Sequence, residues 1–312
     1  MTRFLISRLI QFPLILAVIY LVTFMMAWVV PGDPFQRNEK SLDPEALAAR
    51  KADFHAENWH TFLKYYSGQV VFHADFGRSM QYDEWSVNDI LRSALPRSIT
   101  LGLFALIVAT LCGVGLGAMA AVRRGGVLDW VSLSVALIGV SFPGFVVAAV
   151  LFITFTAKLH WPPIGEWGHL RDLVLPGIAL AMLPMAYIAR LTRVSMLDTL
   201  GNDYVRTARA KGLSRGVVIW KHALRNALLP VLSYLGPAAA YALTGSFVVE
   251  KVFNIPGLGQ HFVNSILNRD RTLILGTVIV YSFFLLSFNL LVDIGYAFVD
   301  PRIDVTNKPG VA

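Results

Sequence analysis

"SITLGLFALIVATLCGVGLGAMAAV", residues 98–122, is 25 residues without one Asp, Glu, Lys or Arg. A bilayer core about 30 Å thick is crossed by ~20 helical residues. Such a run has no water to satisfy its backbone, so it closes its hydrogen bonds within itself as an α-helix. Five further apolar runs of similar length accompany it, at about 10–30, 130–157, 173–196, 228–249 and 273–299. The composition agrees: 55% of the 312 residues are apolar and 15% charged, against about a quarter charged in soluble domains. The chain therefore reads as an all-α integral membrane protein with six transmembrane helices in one domain, 1–312.

The first run follows Arg3 and Arg8. It exceeds the ~7–15 residues of a signal-peptide core, and no A-x-A site follows, so it reads as a retained span. The distribution of Lys and Arg sets the orientation. With the N-terminus inside, Arg3, Arg8, Arg123, Arg124, the 197–227 connection and Arg302 all lie inside. The long polar 31–97 loop lies outside, where its charges count for little. The result is N-in/C-in. In a membrane protein the net charge of +7 reports topology or lipid headgroups rather than nucleic acid. The single Cys112 can form no internal disulfide. Within the outer loop, Asp43 and Pro44 read as the cap and first position of a short helix.

Several spans carry helix-bending residues: Pro143 and Gly144 in "SFPGF", Pro176 and Pro184 in the fourth, Pro230 and Pro237 in the fifth. They read equally as packing geometry or as helices bent around a pathway. Asp293, near the end of the sixth span, is an intramembrane charge that reads as structural, reaching water or a basic partner. Arg190 and Arg193 at the end of the fourth span read as snorkelling to the inner interface.

Between the fourth and fifth spans runs "NDYVRTARAKGLSRGVVIWKHALRNALLP", residues 202–230, with six Lys/Arg and one Asp. Asn202 or Asp203 suits an N-cap and Gly212 a helix stop, and Ser214 can cap a second helix. The segment thus predicts a short helix, a glycine bend and a second helix, projecting as a basic knob. Small Ala208 and Ala210 would let it enter a groove on another protein. A plain basic loop would only hold topology.

The spelling of this segment resembles the EAA loop of ATP-binding-cassette importer permeases. That pattern runs E-A-A, three residues, Gly, nine residues, I-x-L-P. With the glycine at Gly212, Arg206, Thr207 and Ala208 take the first positions and His222–Arg225 the last, so the Glu and Pro of the pattern are missing. The dipeptide/oligopeptide subfamily instead spells R-T-A-R-A-K-G-L and H-A-L-R-N-A-L-L-P, which this chain matches. "PGDPF" (31–35), "ADFGRS" (74–79), "PVLSYLGPA" (230–238), "IPGLGQ" (255–260), "LNRD" (267–270) and "NLLVDIGYAFVDPRI" (289–303) extend the likeness along the chain.

The resemblance implies a type I importer permease fold. It implies an ATPase-coupling loop at Tyr204, Arg206, Thr207, Ala208, Arg209, Ala210, Lys211, Gly212 and Leu213. It also implies partners: a second homologous permease subunit, two ATPase subunits that hold ATP and Mg, and an extracytoplasmic peptide-binding protein. The setting would be the bacterial cytoplasmic membrane, the cargo a peptide.

No G-x-x-x-x-G-K-[ST] occurs, so no nucleotide cofactor is expected in this chain. "DFG" (75–77) lacks the other kinase motifs, and the histidines lack metal spacing. No catalytic, cofactor or metal residue is therefore expected, and the chain reads as no enzyme. An intramembrane enzyme would need a nucleophile and base within the spans. The alternative is a proton- or ion-driven secondary transporter of small solutes, which usually carries more spans, inverted repeats and midplane charges.

Overall fold

The computed structural model describes residues 2–35, 43–82, 84–161 and 167–299. Among them all regular structure is helical apart from one isolated bridge, Arg78 to Ser86. Five helices are long and apolar enough to cross a membrane: α1 (Thr2–Val29), α4 (Val87–Val122), α7 (Leu170–Leu200), α11 (Leu229–Phe253) and α13 (Arg271–Val299). A sixth crossing is available if the pair α5 (Val127–Ser141) and α6 (Gly144–Leu151), with its π-helical continuation Phe152–Ala157, counts as one.

That pair is bent by 104°, so the third apolar run is two rods where one was expected. Pro143 explains the break. A proline disfavours the helical region for the residue before it, and Phe142 is extended at φ −98°, ψ 126°. Pro143 then caps α6. Elsewhere proline is accommodated. Pro230 lies in the first turn of α11, where a missing N–H costs nothing, and α7 and α11 continue across Pro184 and Pro237.

The chain divides into two compact units. One comprises Ile6–Ser98 with Pro256–Phe284, the latter holding α12 (Leu258–Leu267) ahead of α13. Its connection between α1 and α4 folds into α2 (Pro44–Asp53), with Pro44 at the first position as expected, and α3 (Trp59–Gly68). Asp43 occupies the cap position, but its side chain makes no cap bond. The loop is anchored by aromatic packing: Phe24 of α1 lies 6.1 Å from Phe62 of α3, which lies 5.5 Å from Tyr66, and all three are buried. The Tyr66 hydroxyl donates to the Thr272 carbonyl at 3.1 Å.

In the same unit Asp270 is the keystone of a polar cluster beneath the start of α13, and it is fully buried. Its Oδ1 accepts from the backbone N–H of Leu273 at 3.1 Å and of Met80 at 3.2 Å. Its Oδ2 accepts from the Ser79 hydroxyl. The Thr272 hydroxyl lies 2.9 Å from Oδ1 and 2.8 Å from the Arg78 carbonyl. Asp270 is thus the N-cap of α13 and the clasp of the "ADFGRS" segment, 191 positions away from Ser79.

The other unit centres on Ile99–Ile255. Buried α7 is its hub, with α4, α5, α6 and α11 around it. Glycine permits the closest approaches. A Cβ on Gly117 of α4 would lie 2.4 Å from the Ala189 carbonyl oxygen, and one on Gly139 of α5 2.8 Å from that of Met182. Apolar tails offer no hydrophobic drive between helices, so such close backbone contact is a main source of association in lipid.

Candidate functional site

The basic connection between α7 and α11 begins at Asn202, whose extended backbone caps α8 (Asp203–Ala210). α8 closes on Lys211, and Gly212 follows at φ +77°, the left-handed region that glycine enters freely. The Gly212 N–H donates to the Arg209 carbonyl at 3.0 Å and the Leu213 N–H to the Ala208 carbonyl at 3.4 Å. This double bond pattern is a Schellman stop, so the glycine bend foreseen from the sequence is present with its reason. Ser214 then caps α9 (Arg215–Val217), which runs through a π-helical turn, Val218–Ala223, into α10 (Leu224–Ala227) and on to α11.

The connection carries its own small core. Val205, Ala208 and Val218 are buried together, with Leu200 against them. The Asn226 amide donates to the Tyr204 hydroxyl at 2.8 Å, joining α8 to α10. This corrects one expectation. Ala208 is not offered to a partner; it is 6% exposed, because the inward face of α8 needs a small side chain to sit against Val218. Ala210 remains exposed. Tyr204, Arg206, Thr207, Arg209, Lys211, Gly212 and Leu213 are also exposed and form the outer surface. Arg206 stands 3.7 Å from Asp203, an exposed pair of little energetic weight. The Thr207 hydroxyl turns back to the Asp203 carbonyl at 2.9 Å.

Beside this surface opens a groove of 410 Å³. Val122, Leu200, Val218 and Ile219 give it an apolar floor, with Leu213, Arg209 and Arg215 along its lining.

Arg193, on α7 two turns before the connection, does not snorkel as expected. Its Nε donates to Asp129 Oδ1 at 2.6 Å and its Nη2 to Oδ2 at 2.9 Å. The Gly125 N–H also donates to Oδ2 at 2.9 Å. A two-pronged guanidinium–carboxylate bond of this kind is geometrically specific. It ties the first turn of α5, and through the Gly125 N–H the turn before it, to the last turns of α7. Reading the sequence missed Asp129 and its role. The available signal was a lone carboxylate at the start of an apolar run, whose partner is 64 positions distant. Arg190 is exposed.

The remaining candidates are dispersed. Pro143 is exposed at the break. A Cβ on Gly144 would lie 2.7 Å from the Tyr241 hydroxyl, which marks where α6 meets α11. Pro184 is buried in α7, while Pro230 and Pro237 are exposed on α11. Asp293 belongs to α13, but its side chain lies outside the described residues. Among the described residues no group of three or more His, Cys, Asp or Glu is placed to hold a metal ion.

Comparison with known proteins locates this architecture. A crystal structure of an amino acid ABC transporter with histidines shares the fold, with a TM-score of 0.54 at 17% identity over 68% of this chain and 94% of that one. The chain is 43% identical to the dipeptide transport system permease protein DppB of Bacillus subtilis (strain 168), over 99% of its length and all of the relative. It is 41% identical to the oligopeptide transport system permease protein OppB of Escherichia coli (strain K12), over 97% and 99% of the two chains. Residues 113–305 match the family model described as "binding-protein-dependent transport system inner membrane component". With that match over more than half its length and relatives of this identity end to end, the chain belongs to the family of inner-membrane components of binding-protein-dependent transport systems.

Proposed function

We propose that this chain is one of two permease subunits of an ATP-driven peptide importer, and that the 197–227 connection is its cytoplasmic coupling loop. The observation that carries the reading is the self-packed knob around Val205, Ala208 and Val218, joined to α7 by the short turn at Gly201 and Asn202 and to α11 through α9 and α10. A loop that only held topology would need basic residues but no core. Two ATPase subunits, holding ATP and Mg, would close against each other and push this knob. α7 would carry the displacement onward as a rigid element. The second permease would complete the pathway and an extracytoplasmic binding protein would deliver cargo. Peptide cargo rests on the names of the relatives, together with spans poor in fixed charge, as suits ligands that share a backbone and differ in side chains.

Reconstitution in liposomes tests the reading. This chain alone is expected to move no labelled tri- to pentapeptide. Adding the second permease, the ATPases, the binding protein and ATP is expected to give uptake that a non-hydrolysable nucleotide stops. Peptide flux through this chain alone, driven by a proton gradient, would instead establish a secondary transporter.

The bend supplies a sharper prediction. A Cβ on Gly212 meets nothing within 4 Å, so substitution there costs backbone conformation alone. Gly212→Leu is expected to strain the left-handed stop by roughly 1–2 kcal/mol and to lower ATP-driven uptake several-fold while insertion continues. Gly212→Asn, which tolerates that conformation, is expected to stay near normal. Equal uptake by Leu and Asn variants would show that the bend is not used.

A further inference from the structure

The lining of the groove beside the knob has a definite polarity. Its charged members are Arg209 and Arg215, and its other walls are apolar. Around it Arg206 and Lys211 are exposed as well, and the sole acid of residues 202–230, Asp203, lies on the far turn of α8 beside Arg206. Exposed apolar groups are interleaved with these cations: Tyr204, Leu213, Val217 and Trp220. Arg with Tyr, Trp and aliphatic side chains is the composition of a protein-binding surface, in which an anchor enters a pocket and charges at its rim select the partner.

We infer that the ATPase surface receiving this chain is acidic, and that an apolar side chain flanked by carboxylates enters the groove between Arg209 and Arg215. The inference rests on the reading that ATPase subunits dock on this connection, and it adds the sign of the charge and the seat. Two arginines facing a 410 Å³ groove with no acid in its lining repel a basic guest, and the groove leaves room for a side chain of Leu or Phe size.

Zero-length carbodiimide coupling of the intact detergent-purified complex tests this, because the reagent joins an amine only to a carboxylate in direct contact. In a background with Lys211→Arg and Lys221→Arg, the variants Arg209→Lys and Arg215→Lys are each expected to couple to an ATPase subunit, at an Asp or Glu identifiable by mass spectrometry. The background itself is expected not to couple through this loop. The double variant Arg209→Glu/Arg215→Glu, altered only at exposed positions, is expected to hold the ATPases about tenfold or more weakly, with the loss reduced at high salt. A photo-crosslinking side chain at Leu213 separates the failures. Capture of an ATPase by that probe, without carbodiimide coupling at 209 or 215, would overturn the acidic seat and leave the docking site standing. Capture of phospholipid alone would overturn both and make the groove a headgroup site.

Discussion

Asp270→Ala is expected to lower the thermal unfolding temperature of the detergent-solubilised chain by roughly 5–10 °C, corresponding to about 3–5 kcal/mol. The carboxylate is fully buried and accepts from two backbone N–H groups and the Ser79 hydroxyl. Each buried donor left unpaired costs about 1–3 kcal/mol, and the helix loses an N-cap worth about 1 kcal/mol as well. Asp270→Asn keeps the shape and an acceptor oxygen, but it turns an NH₂ group toward Ser79 Oγ, which already accepts from the N–H groups of Gln81 at 3.1 Å and Tyr82 at 2.9 Å. Its loss is expected to be under half that of the alanine. Ser79→Ala with Asp270→Ala is expected to cost much less than the sum of the two, because both remove the same bond. A melting point for Asp270→Ala within a degree or two of the native chain would show that the cluster contributes nothing to holding the connection between α1 and α4 on α13.

The second large effect concerns the fork between α5 and α7. Asp129→Ala strands Arg193, whose side chain retains one-fifth of its exposure, so the cost is expected near 2–3 kcal/mol rather than the about 3–5 kcal/mol of a fully buried pair. Arg193→Lys is expected to recover only part, since an ammonium cannot reproduce two parallel N–H donors. Asp129→Ala combined with Arg193→Leu removes both charges, and is expected to restore more than half of the stability lost by Asp129→Ala. Transport separates stability from coupling. If the fork makes the turn before α5 follow α7, the double variant will fold yet remain impaired in ATP-driven uptake by about tenfold, an effect of roughly 1.4 kcal/mol. Full recovery of uptake would reduce the fork to a structural tie.

The sequence by itself determined what depends on neighbours and on solvent. An uncharged 98–122 has no stable form in lipid other than a helix, and the structure has one there as part of Val87–Val122. Gly212 announced the stop of α8 because few other residues adopt its backbone, and Pro44 and Ser214 announced helix starts for equally local reasons. Pro143 was legible as a disturbance, but not as a 104° break, because the angle depends on what packs on either side. Ala208 lay beyond sequence reading: in a helix of eight residues the apolar period hardly repeats, and only the approach of Val218 decides which face turns inward. The long connection between α1 and α4 looked merely polar, because the aromatic side chains that anchor it are spread from Phe24 to Tyr66 and meet only in space. Arg193 and Asp129, and likewise Ser79 and Asp270, could not be paired from sequence for the same reason. Each residue shows its charge or hydroxyl locally, but a buried polar group takes whichever partner the tertiary structure brings within 3 Å.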